Sequence, residues 1–117
     1  MNLTSEAVEP LVRALAQHPA LKNYDLRFLP LAEARFHEIA PGILTWDWCD
    51  RHKEERGKGS LAYYDLDGQI VSVGLVAAHN EVTEIELWRG DGNPVQSVPS
   101  QADLWEMVPG VIYSPRP

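Results

Sequence analysis

Between Gly59 and Gly90, apolar and polar residues alternate with the period of a β-strand, and two turn signals interrupt the alternation. Asp67-Gly68 separates two such runs. It has the residue types of a two-residue type I′ hairpin turn, whose central positions both need positive φ. A turn of that length pairs Leu66 with Gln69, Tyr64 with Val71 and Ala62 with Val73, and places these residues on one face with Leu75 and Ala77. The next reversal lies near Asn80. A two-residue turn at His79-Asn80 would set Leu75 opposite Glu84 and bury a charge. An odd loop of three or five residues sets Leu75 opposite Ile85 and Val73 opposite Leu87, so burial selects the odd loop. The pattern therefore predicts a three-strand antiparallel meander over 61–66, 70–78 and 83–89.

The N-terminal segment has the other period. Val8, Leu11, Val12 and Leu15 recur on one face of a helix, with Thr4 or Ser5 as N-cap and Glu6 and Glu9 in the first turns. Pro10 removes a ladder bond if the cap is Ser5, which bends the first turn or moves the start towards Glu9, and His18-Pro19 ends the helix. Residues 20–58 are less regular. Ala34, Phe36, His37 and Ile39 form a short strand stopped by Pro41-Gly42; Ile43, Leu44, Trp46 and Trp48 form another, and Asp50 to Gly59 is a mixed-charge loop. Ser100 caps a short helical segment through Leu104 and Trp105, and 109–117 read as an extended tail. The expected fold is α+β: one domain over 1–117, an antiparallel sheet of four to five strands, and the Val8/Leu11/Leu15 stripe packed on one face.

Charge changes this picture more than composition does. The chain of 117 residues carries a net charge of −7. The excess lies in residues 65–117, where eight acidic side chains meet only Arg89 and Arg116. Such a surface repels phosphate backbones, so nucleic acid is not expected as a partner and a basic protein is. The apolar runs fall short of the ~20 residues of a membrane span. Met1 to Glu6 does not resemble a secretory signal, and a single cysteine, Cys49, allows no internal disulfide; the expected compartment is the cytoplasm.

No cofactor or metal is expected, because glycine-rich phosphate loops, nucleophile elbows and His-Glu-x-x-His pairs are missing from the sequence. Cys49 and His52 beside Asp47 and Asp50 supply only half of a paired zinc motif. The pattern worth following is the meander face opposite the core. With the register above, its rows read Tyr63–Ser72–Trp88, Leu61–Gly74–Glu86 and Val76–Glu84. This is a shallow trough of small residues between aromatic flanks. Glu84, Glu86 and Trp88 form its rim, and Asp65, Asp67 and Asp91 lie near its ends. Tyr63, Asp65, Glu84, Glu86, Trp88 and Asp91 are thus the candidate partner-binding residues, unless Trp105, Met107 and Ile112 fold back over the face.

From Gly59-Ser60-Leu61 to Asp103-Leu104 the chain resembles a family of small, uncharacterised bacterial domains. The shared features are the Asp-Gly hairpin, Ile70-Val71-Ser72-Val73, the run Glu84 to Val95 and a Pro-Ser-x-x-Asp-Leu end at Pro99 to Leu104. The resemblance implies no catalytic residues. By type, small size and acidity also resemble bacterial immunity proteins, which neutralise a cognate toxin. Three classes of function follow. The first is an acidic interaction protein of immunity type that binds a basic toxin domain. The second is an accessory subunit, monomeric or dimeric, that self-associates through a sheet edge. The third is a small enzyme using His37, Asp47 or His52.

Overall fold

The computed structural model describes residues 7–48, 61–108, 111 and 113–114. The expectations for Thr4, Ser5, Glu6, Cys49, His52, Ile112 and the 50–59 loop lie outside these residues, as does most of the 109–117 tail. Helix α1 (Val8–Ala16) is followed by β1 (Arg27–Phe28), β2 (Arg35–Ala40), β3 (Ile43–Asp47) and β4 (Leu61–Tyr64). Then come β5 (Ile70–Ala78), β6 (Glu81–Arg89) and β7 (Trp105–Glu106), with short 3₁₀ turns at Pro19–Tyr24, Leu31–Glu33 and Gln101–Asp103. The fold is α+β, with an open and almost wholly antiparallel sheet in the order β2-β3-β6-β5-β4-β7; β1 pairs parallel with β6. Counting β1, the sheet has seven strands, not four or five. The additional ones, β1 and β7, are two residues each and too short for a periodic signal.

Helix α1 starts at Val8 with Ala7 at the N-cap, so Pro10 falls in the first turn, where its missing N–H has no ladder partner to lose. Val8, Leu11, Ala14 and Leu15 are buried in one contiguous cluster with Trp46, Leu75, Ile85 and Leu87. His18 ends the helix and caps the next turn: its Nδ1 accepts from Ala20 N–H (3.1 Å). Nε2 must then carry the ring proton, which it donates to the Leu104 carbonyl at 3.2 Å. Gln101 Nε2 donates to Gln17 O at 2.9 Å, a second tie between the helix end and the chain after β6. Pro41-Gly42 closes the β2–β3 hairpin with φ +85° at Gly42, and a side chain there would also run into the carbonyls of Arg89 and Asn93.

Both meander turns differ from expectation. The 64–70 hairpin has a three-residue loop, Leu66-Asp67-Gly68: Tyr64 pairs with Ile70, Tyr63 with Val71 and Ala62 with Ser72, while Asp65 N–H donates to Gln69 O at 2.8 Å. Gly68 takes φ +87° and its N–H donates to Asp65 O at 2.9 Å, the pattern of a type I turn followed by a left-handed glycine. The one-residue change turns Tyr63 inward and Ala62 and Tyr64 outward. At the second reversal His79 and Asn80 do form a two-residue turn, with φ of +54° and +68°. Leu75 nevertheless faces Ile85, because the extra residue sits in a β-bulge at Thr83: Val76 pairs with Glu84, and Ala77 with Val82. Burial dictates the register as expected, but through a bulge and not a long loop.

Candidate interaction surface

β6 separates two chemistries by alternation. Val82, Ile85, Leu87 and Arg89 point into the core, and Glu84, Glu86 and Trp88 point out of the opposite face. The outer rows run across β5, β6 and β3 as Ser72–Trp88–Ile43, Gly74–Glu86–Thr45 and Val76–Glu84–Asp47. β2 extends them with Ala40, His37 and Arg35. The predicted pairings across β5 and β6 are therefore present. Those across β4 are not: Ala62 lies beside Ser72 where Tyr63 was expected, and Leu61 pairs with Val73, not Gly74.

Three of the six predicted binding residues leave this face. Tyr63 is a core side chain, 1% exposed, whose hydroxyl donates to Ser97 O at 2.5 Å. Burial, and then the charge of Asp65, push that hydroxyl well above the usual phenol range. Asp65 is buried as well and binds the Arg89 guanidinium through Nη1 at 2.9 Å. It also accepts from Gln96 N–H at 2.9 Å and Ser97 Oγ at 2.8 Å. Asp91 grips the same guanidinium with both oxygens, at 2.8 Å from Nε and 2.9 Å from Nη2, and Asp67 completes the ring on Nη2. Hydrogen bonds from Arg89 hold the carboxyls of Asp67 and Asp91 below the ordinary aspartate range. Four of the chain's charges are thus spent on each other, fastening the 90–97 segment to the 65–69 hairpin. Sequence reasoning did not single out Arg89. The signal was available: Ile85, Leu87 and Arg89 continue one inward alternation, so an arginine had to be buried and answered there.

Glu84, Glu86 and Trp88 remain. Trp88 is 51% exposed, large for an aromatic in mid-sheet. No hydrogen bond or ion pair from a described residue reaches the Glu86 carboxylate. It is half-buried, and desolvation, then the charge of Glu84, raise it above the usual carboxylate range. Asp47 stands directly across from Glu84, so the rim is an acidic band over two strands, bounded by Arg35 of β2 beside Asp47. Among the described residues of the C-terminal segment, Trp105 covers the β4 side and Met107 reaches towards β5 and β6. Trp105 packs its ring on Tyr64 (5.5 Å between centroids) and on Tyr113 (4.8 Å). Met107 stops at the edge of a cleft of about 230 Å³ shared with Ser72, Gly74, Glu86 and Trp88.

His37 is exposed on β2 and Asp47 is half-buried on β3, on the same face but in different cross-strand rows. Among the described residues no group of three or more His, Cys, Asp or Glu is placed to hold a metal ion. No described helix is long and apolar enough to cross a membrane. No protein-family model, curated protein or solved structure matches the chain.

Proposed function

We propose that this chain is an acidic interaction protein that binds a basic protein partner with the outer face of β5 and β6. One observation carries the reading: a half-buried carboxylate, Glu86, with no partner among the described residues, lies one row from the half-exposed Trp88. The fold answers Asp65, Asp67 and Asp91 with a buried arginine, whereas no described residue answers Glu86, and Trp88 stands half-exposed beside it. Exposed aromatics supply the desolvated anchor of an interface, and rim charges set the approach and orientation of the partner. The specific form we favour is an immunity protein that masks the active surface of a basic toxin domain, which its small size and net charge of −7 support.

The test begins with photo-crosslinking from a benzoylphenylalanine at Val76 in the native cell, followed by binding kinetics with the purified captured protein. The reading expects a basic partner. Trp88→Ala should raise Kd about 30-fold, the equivalent of about 2 kcal/mol. Glu84→Gln with Glu86→Gln should mainly slow association and flatten its salt dependence. An acidic partner, or Kd values unmoved by all of these substitutions in folded protein, overturns it.

A further inference from the structure

The cleft beside Trp88 has a shape that narrows the chemistry of what enters it. Its floor is Gly74, the central residue of β5, where a β-carbon would find only ordinary contact with Glu86 at 3.9 Å. The space above that floor comes from a missing side chain, not from strained backbone. Trp88 and Met107 line the cleft, and Glu86 borders it from the neighbouring strand. At about 230 Å³ it is smaller than the range of about 300–1,000 Å³ typical of pockets for drug-sized ligands.

Elimination then works on charge. An anion would meet Glu86 and, one row away, Glu84. A purely apolar group would desolvate Glu86 further with nothing to neutralise it. A hard divalent cation wants several oxygen ligands, about six to eight for calcium, and among the described residues a single acidic one, Glu86, borders this cleft. A long aliphatic stem ending in a cation meets every requirement: methylenes lie along Met107 and the backbone over Gly74, and the head sits between the Glu86 carboxylate and the indole.

Building on the interaction reading above, we propose that the Gly74–Glu86–Trp88 cleft is a pocket for one lysine or arginine side chain presented by the partner. The pocket thereby sets which residue of the partner is read, and the surrounding acidic band only attracts it. Lysine and arginine share the cationic tip and differ in its shape, so the probes separate them.

The experiment is an NMR titration of the full-length ¹⁵N-labelled protein with blocked single amino acids: N-acetyl-lysine methylamide, N-acetyl-arginine methylamide and N-acetyl-norleucine methylamide. At least one cationic probe should give saturable shifts centred on Gly74, Glu86 and the Trp88 indole, and norleucine, matching the stem without the charge, should give none. Glu86→Gln should weaken the cationic probe about tenfold, the weight of one charge-assisted hydrogen bond. Gly74→Val fills the floor, leaves every charge in place, and should abolish the localised shifts; circular dichroism confirms that both variants fold. Equal binding of norleucine overturns the proposal, as do cationic shifts spread over the whole acidic surface that survive Gly74→Val. Neither result touches the wider interaction reading, whose crosslinked partner would then depend on Glu84, Glu86 and Trp88 and be indifferent to Gly74→Val.

Discussion

Carboxylates lie on both faces of β6, and Asp65, Asp67 and Asp91 on one face are treated differently from Glu86 on the other. On the inner face Asp65, Asp67 and Asp91 surround Arg89, whose side chain is 2% exposed, and each carboxylate has a defined donor. On the outer face Glu86 faces Gly74 and Thr45 across the sheet, with like charge at Glu84 two residues away, and no described donor reaches it. Nominal charge is the same in kind; what differs is whether the fold has neutralised it. An acidic surface count therefore overstates what a partner can use. Three of the aspartates that make the second half of the chain look like a basic-protein site are structural, and the carboxylate with no described donor, Glu86, lies on the other face.

Breaking the inner group should have the largest effect. Arg89→Met keeps an unbranched stem but leaves the buried Asp65 with an unanswered charge, and should cost about 3–5 kcal/mol in urea unfolding. A loss below about 1 kcal/mol would mean that water or rearrangement replaces the guanidinium, and that the two faces are less different than their geometry says.

Acid should sharpen the contrast. Asp67 and Asp91 titrate below the ordinary range in the fold, so their stabilising effect is complete above the unfolded aspartate value of about 3.9. It is lost as pH falls further, through their folded values. Melting temperature followed from pH 7 downwards should fall steeply below about pH 4. Asp91→Asn should flatten that limb, since one of the carboxylates whose protonation drives it is gone.

Glu86 has the reverse sign and the smallest effect. Its folded value is raised, so the ionised form is a slight liability at neutral pH, relieved as pH falls through that value. Glu86→Gln should leave the fold intact and raise Tm at pH 7 by no more than about 2 °C, because a half-exposed charge is well screened. A drop in Tm on this substitution would show that Glu86 has a structural donor, and would remove the basis for reading it as a binding group.

The sequence carried these features unevenly, for physical reasons. The β5–β6 register was legible because only one alignment keeps Glu84 out of the core, and with it came the outer rows of Glu84, Glu86 and Trp88. The 64–70 hairpin was not legible. Asp-Gly suits a two-residue type I′ turn and equally a three-residue loop ending in a left-handed glycine. Local preference does not choose between them. The observed loop lets Tyr63 reach Ser97 and Asp65 reach Arg89, partners 34 and 24 residues away that no local pattern announces. That one-residue difference moved Tyr63 and Asp65 from the surface to the interior. Short strands such as β1 and β7 escape for another reason: two residues cannot display a period.

The bulge at Thr83 has a consequence for how this chain tolerates change over evolutionary time. It lies where β6 passes from pairing with β3 to pairing with β1: Glu84 faces Asp47, Trp48 N–H donates to Thr83 O at 3.0 Å, and Val82 faces Phe28. The residue is thus a register spacer for three neighbours at once. Straightening the bulge with Thr83 retained and the tight His79-Asn80 turn kept would pair Thr83 with Val76 and Glu84 with Leu75, carrying Glu84 inward and Ile85 outward. Deleting Thr83 outright would instead leave Val76 opposite Glu84 and Leu75 opposite Ile85, so the bulge is a place where β6 can lose a residue without exchanging its faces. Beyond the bulge, from Glu84 to Arg89, the length of β6 is bound to the identity of its faces, and with them to the position of Glu86 and Trp88.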